Sequence, residues 1–131
     1  MVTEKIATGT SMELSYQSAD FILVFRVHGF LKPDEAARDR LILHEAISKK
    51  KAQLLLVDQR DIKVLSKEMQ SFVISSANEM VRMGIKKMAI ILPQDVFALA
   101  GVSKIQREFK TPGMEIAHFT SEEEGMNWLR R

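Results

Sequence analysis

The stretch LLLVDQRD, residues 54–61, decides the fold of this chain. Its first four residues are apolar without interruption, and the run ends abruptly at Asp58. An uninterrupted apolar run of this length is typical of a parallel strand that helices cover on both faces. We therefore predict a buried strand over 54–57 and a polar loop over 58–61.

Helical patterns flank this strand on both sides. Upstream, Pro33 followed by acidic residues predicts a helix start, and the helix should run to about Lys50. Downstream, the Ser66 hydroxyl can cap a second helix, whose apolar residues recur at helical spacing until Gly84. A buried strand between two amphipathic helices indicates an α/β domain.

Further segments complete this pattern. Strand character is found at 12–16, 21–27, 88–92 and 114–119, and helical character at 95–109 and from Thr120 or Ser121 to the end. Gly101 weakens the third helix, so we expect a break or a bend there. The prediction is a mixed, mostly parallel five-stranded sheet packed with about four helices.

Length and composition indicate one soluble domain over residues 1–131. The chain has 131 residues, of which 46% are hydrophobic and 27% charged, which is ordinary for a globular domain. The formal net charge of +2 is too small to indicate a nucleic-acid partner. The longest apolar runs are far shorter than a membrane span, which takes about 20 residues.

Cysteine content and the amino terminus bear on the compartment. The chain has no cysteine, which removes disulfides and thiolate chemistry and is compatible with a reducing cytosol. Residues 1–9 lack the basic and apolar layout of a secretory signal. We expect a cytoplasmic protein.

Four segments resemble the STAS-like and SpoIIAA-like domains, named for sulfate transporters and anti-sigma-factor antagonists. The segments are FILVFRVHGFLKPDEA (21–36), LLLVDQRDIKVLSKEM (54–69), KKMAIILP (86–93) and AHFTSEEEGMNWLR (117–130). The resemblance covers nearly the whole chain and extends to small proteins with a lipid-carrier-type α/β fold. It implies a mixed, mostly parallel sheet and a role in protein interaction or small-ligand binding.

One family feature is not matched. In anti-sigma-factor antagonists, a serine just after the central strand is phosphorylated and switches partner binding. Here the corresponding residues are Asp58, Gln59, Arg60 and Asp61, and the first hydroxyl is that of Ser66. Ser66 is better explained as a helix cap, so its modification is only weakly indicated.

The polar segment made of Asp58, Gln59, Arg60 and Asp61 is the best site candidate. It lies where α/β sheets usually place ligands, beyond the carboxyl ends of the strands. The segment could bind a polar group or a partner's charges. The alternative is structural, with Asp58 capping a turn and Arg60 paired with Asp61 in solvent.

Dedicated chemistry is not indicated elsewhere. The three histidines, His28, His44 and His118, lack the spacing of metal ligands, and no phosphate-binding loop or nucleophile elbow is present. We therefore expect no cofactor, no metal and no enzymatic activity. A small phosphotransfer or hydrolase domain using Asp58 or Asp61 is the weakest alternative.

Two functional hypotheses remain. The first is a non-catalytic regulatory or protein-interaction module with a protein partner or as a homodimer, which rests on the resemblance. The second is a small binding protein for an apolar or lipid-like ligand, indicated by methionine-rich helices such as the one holding Met69 and Met80. A large dry pocket between the helices and the sheet would favour the second hypothesis.

Overall fold

A computed structural model describes residues 3–109 and 112–131 of the chain. These residues form six strands and four helices. In chain order the elements are β1 (Thr3–Thr8), β2 (Met12–Gln17), β3 (Ile22–Gly29), α1 (Pro33–Lys50), β4 (Leu54–Ile62), α2 (Lys67–Arg82), β5 (Lys87–Ile91), α3 (Val96–Glu108), β6 (Glu115–Phe119) and α4 (Glu122–Leu129).

The six strands make one sheet in chain order, from β1 at one edge to β6 at the other. The first three strands pair antiparallel, and β3 to β6 pair parallel. Connections between adjacent parallel strands are right-handed, which places α1, α2 and α3 on one face of the sheet. Of the four helices in the described residues, only α4 packs on the opposite face, against Ile22, Val24 and Leu56.

The predicted mixed α/β architecture and the four helices are confirmed, with two corrections to the strands. The sheet has six strands rather than five, because β1 was not predicted. Its residues are largely exposed, so the apolar alternation that marks a strand is weak there. The second correction concerns β4, which continues through the predicted polar loop to Ile62.

Pairing on both sides explains why β4 continues. Asp58 is in register with Arg26 of β3 and with Ile91 of β5, so its backbone belongs to the parallel ladder. Beyond it, Asp61 is in register with His28. Strand pairing therefore overrides the polar composition, which had predicted a loop.

The predicted break at Gly101 is also wrong, because α3 runs through this residue without interruption. A Cβ atom at Gly101 would lie 2.9 Å from Leu65 Cβ. The glycine therefore allows α3 to approach the segment before α2 closely. Within the part of the chain that the structure describes, no helix combines the length and the hydrophobicity that a membrane span requires.

Candidate ligand-binding site

The strand β4 separates the residues that the sequence had grouped into one site. Successive side chains of a strand point to opposite faces of the sheet. Asp58 and Arg60 accordingly reach the α4 face, whereas Gln59 lies on the face covered by α1, α2 and α3. Asp61 is exposed. The predicted four-residue site is therefore divided between two environments.

On the α4 face, four charged side chains form a cluster of two arginines and two acids. Arg60 donates two hydrogen bonds to Asp58, from Nε to Oδ1 at 3.0 Å and from Nη2 to Oδ2 at 2.7 Å. Arg26 Nη2 lies 2.6 Å from Glu122 Oε1 and Arg26 Nε lies 3.8 Å from Asp58 Oδ2. Arg60 Nη2 is also 3.6 Å from Glu122 Oε2. The cluster joins β3, β4 and the first turn of α4.

The electrostatics of Asp58 follow from this cluster. Burial alone would raise the pKa of Asp58, but hydrogen bonds from the Arg60 side chain and backbone, with the charges of Arg60 and Arg26, hold it below its ordinary value. The Asp58 side chain is only 6% exposed and is already paired with Arg60. Arg60 therefore pairs with Asp58, and the predicted pairing with Asp61 is wrong.

The opposite face contains two cavities on either side of α2. One, of about 110 Å³, lies between α1, α2 and the sheet. The other, of about 360 Å³, lies between α2, α3 and the sheet. The two cavities share part of their lining, on α2 and on the sheet strands below it. The shared residues are Gln59, Val73, Ala77, Met88 and Ile90.

The larger cavity is apolar with three polar side chains in its lining. These are Gln59, Gln106 and His118, and the rest are aliphatic, methionine and phenylalanine side chains. Burial lowers the pKa of His118 below its ordinary value, which favours the neutral imidazole at neutral pH. No charged side chain among the described residues lines this cavity.

The smaller cavity has charged residues along its α1 side. The guanidinium of Arg40 lies over the ring of Phe72 at 5.3 Å, and this contact connects α1 to α2. About one turn further along both helices, His44 Nε2 lies 3.1 Å from Ser76 Oγ. Burial lowers the pKa of His44, and the Arg40 charge adds to this effect against the opposing charge of Glu79. These contacts hold α1 and α2 together at the edge of the cavity.

Gln59 is the one predicted site residue that lines both cavities. The residue is 8% exposed, and its Oε1 atom is buried without a hydrogen-bond partner among the described residues. The sequence indicated Gln59 only as a member of the polar segment. The lining residues Val73 and Ala77 were not predicted, since their spacing on α2 is that of any core-facing helix.

Ser66 occupies the N-cap position of α2. Its hydroxyl accepts a hydrogen bond from the Met69 backbone N–H at 3.1 Å, as expected for a helix cap. Its modification stays a prediction. The histidines are dispersed, and residues 3–109 and 112–131 contain no group of three side chains that could hold a metal ion.

Comparisons with known proteins bear on the fold. No family model matches the chain. No curated protein matches it either. A solved structure from Shewanella loihica PV-4, an uncharacterized protein of the DUF3478 family with a SpoIIAA-like fold, is similar to it with a TM-score of 0.63. The match covers 98% of this chain and 96% of that chain at 19% sequence identity. The predicted SpoIIAA-like fold is thereby confirmed.

Proposed function

We propose that this protein is a non-catalytic binding domain that holds a small apolar molecule between α2 and the sheet. The pair of cavities that share the α2 wall carries this proposal. The larger cavity, of about 360 Å³, falls within the range of small-molecule pockets, roughly 300–1,000 Å³. Its largely apolar lining matches the usual chemistry of such pockets.

The residues around α2 also support this proposal. Met69 and Met80 of α2 and Met88 of β5 all line one or both cavities. Methionine side chains are flexible and polarizable, so they adjust to ligands of different shapes. A wall of this kind suits a ligand that is recognised mainly by its apolar surface.

The test is binding of a neutral fluorescent probe, N-phenyl-1-naphthylamine, to the purified protein. Ala77 is buried and lines both cavities, so Ala77→Phe places a ring in the space that the probe would occupy. We expect at least about a tenfold loss of affinity, comparable to losing one favourable contact of about 1.4 kcal/mol. Val73→Phe, on the same wall, is the second variant if Ala77→Phe fails to fold.

The matched control is Ala37→Phe, an exposed position of α1 that lines neither cavity. This variant should bind the probe as the wild type does. Equal affinity of the wild type and both cavity variants would contradict the proposal, as would absence of probe binding to the wild type. Native mass spectrometry of protein purified from its source cells would add any retained ligand and the oligomeric state.

The regulatory or protein-interaction role implied by the family resemblance remains a prediction, as do self-association and a cytoplasmic location. A bound apolar molecule and an interaction role are compatible. The absence of enzymatic activity likewise stays a prediction.

A further inference from the structure

A buried amide oxygen of a residue that lines both cavities indicates the chemistry of the ligand. Gln59 Oε1 is buried without a hydrogen-bond partner among the described residues, although the side chain lines both cavities. Buried polar atoms in proteins are nearly always hydrogen-bonded, because an unpaired one loses its interaction with water without replacement. A donor brought by a ligand would satisfy this oxygen.

The position of Gln59 is fixed by its strand. The backbone of the preceding residue, Asp58, is in register with both neighbouring strands, and the Asp58 and Arg60 side chains are tied to each other on the opposite face. The strand β4 therefore fixes the backbone of Gln59 next to both cavities. Among the described residues that line both cavities, Gln59 is the polar one, so its amide is the recognition point that the two cavities share.

The charges around the cavities indicate that the ligand is neutral. The larger cavity has no charged side chain among its described lining residues, so a carboxylate or phosphate placed there would lack a cation. The smaller cavity has two basic and two acidic side chains in its lining, which leaves no excess of either sign. These four are Lys32, Arg40, Glu35 and Asp39.

We infer that the ligand is a neutral amphiphile, an apolar chain or ring system carrying a hydroxyl or amide N–H that donates to Gln59 Oε1. The inference rests on the proposed function and specifies its ligand class. The apolar body lies against Val73, Ala77 and Ile90, and the donor group lies at the strand β4. Neutral long-chain alcohols and primary amides have this chemistry, whereas ionised fatty acids do not.

Three probes of similar size separate these classes. Octan-1-ol and 1-methoxyheptane are isomers, and only the alcohol can donate a hydrogen bond. Octanoate, at a pH where it is ionised, has the same chain length and a negative charge. We expect isothermal titration calorimetry to give the tightest binding for the alcohol, about fivefold tighter than the ether, which corresponds to one net hydrogen bond. Octanoate should bind most weakly.

The variant Gln59→Leu should remove the preference for alcohol over ether while ether binding is kept. Gln94→Leu is the matched control, because Gln94 is exposed and lines neither cavity, so this variant should keep the preference. Should Gln59→Leu fail to fold, the alcohol and ether comparison on the wild type still tests the inference.

The outcomes separate the inference from the proposed function. If none of the three probes binds, both fail. If the alcohol and the ether bind equally well, apolar binding stands and the Gln59 inference is overturned. Tightest binding of octanoate, or an alcohol preference that survives Gln59→Leu, would also overturn it.

Discussion

The two faces of the sheet are packed in different ways. On one face α4 approaches the strands closely, because Gly125 faces the sheet: a Cβ atom there would lie 2.9 Å from Ile91 Cδ1 and 3.2 Å from Leu56 Cδ1. On the other face α1, α2 and α3 cover the same sheet and leave two cavities beside α2. The α4 face therefore contributes close packing, and the face with the cavities has the space for a ligand.

The charged and polar groups of the two faces also differ. The α4 face contains the cluster around Asp58, in which every charged group has a partner of opposite sign. Elsewhere on this face, Lys87 donates to the Trp128 backbone carbonyl at 2.8 Å. Ser15 Oγ and Gln59 Oε1 are both buried without a partner among the described residues, and of the two residues only Gln59 lines the cavities. Charged groups that are already paired stabilise the fold, whereas an unpaired polar group beside a cavity is suited to ligand recognition.

The largest expected effect compares two substitutions to leucine. Gly125→Leu forces a bulky side chain against Ile91 and Leu56, and we expect the free energy of unfolding to fall by about 3 kcal/mol. Ala77→Leu adds a side chain next to the cavities and should cost less than about 1 kcal/mol. Urea unfolding followed by circular dichroism measures both. Equal losses would show that the two faces are packed to the same density.

The second prediction tests the charge cluster. Asp58→Asn leaves Arg26 and Arg60 without their buried partner, and we expect a loss of about 2 kcal/mol at neutral pH. This is below the 3–5 kcal/mol of a fully buried pair because the arginine side chains are 34% and 36% exposed. Asp61→Asn is the matched control, since Asp61 is exposed, and should change stability by less than about 0.5 kcal/mol.

The pH dependence of this loss follows from the lowered pKa of Asp58 in the folded state. The unfolded carboxyl has a pKa of about 3.9, so the stabilisation is complete above that value and is lost as the pH falls through the folded pKa. The difference between wild type and Asp58→Asn should thus be largest at neutral pH and shrink below about pH 4. A difference that stays constant in acid would contradict the assigned role of the Asp58 charge.

The sequence predicted the architecture because strong local patterns coincide with tertiary structure. The apolar runs at 54–57 and 88–92 are mostly buried and form much of two adjacent parallel strands, and the caps at Ser66 and Ser121 begin helices. The pattern failed at β1 and at the end of β4, where pairing with neighbouring strands decides the backbone conformation. Pairing across the sheet is a long-range property that local composition does not record.

The candidate site was predictable only in part, for a related reason. The polar segment 58–61 was recognised, but its division by strand alternation depends on Asp58 remaining within β4. The cavities depend on the distance of α2 from the sheet, which no residue pattern specifies. Gly101 shows the same limit, because its role is a close contact with Leu65 rather than a helix break.

The third prediction compares the N-caps of one helix on each face, α2 and α4. Ser66 begins α2 on the cavity face and Ser121 begins α4 on the other, and each hydroxyl accepts a backbone N–H, at 3.1 and 3.2 Å. Ser66→Ala and Ser121→Ala should each cost about 1 kcal/mol in the free energy of unfolding. Ser75→Ala, exposed within α2, should change it by less than about 0.5 kcal/mol. Clearly unequal losses would mean that the N-caps contribute to the difference in stability between the two faces.

The smallest expected effect is a response of the cavity face to mild acid. Burial lowers the pKa of His44, aided by Arg40 and opposed by Glu79, and burial also lowers that of His118. Both histidines lie on the cavity side of the sheet. In the unfolded chain their pKa is about 6.5, so the unfolded state binds more protons below that pH and stability falls as the pH drops.

Hydrogen exchange followed by NMR measures this response for each helix separately. On lowering the pH from about 7 toward the folded pKa values, amides of α2 should lose protection while those of α4 keep theirs, after correction for the intrinsic rate of exchange. His44→Gln can keep a hydrogen bond to Ser76 without titrating, so it should reduce the loss in α2. Equal loss of protection in α2 and α4 would mean that acid destabilises the whole domain, because the two faces would then not open independently.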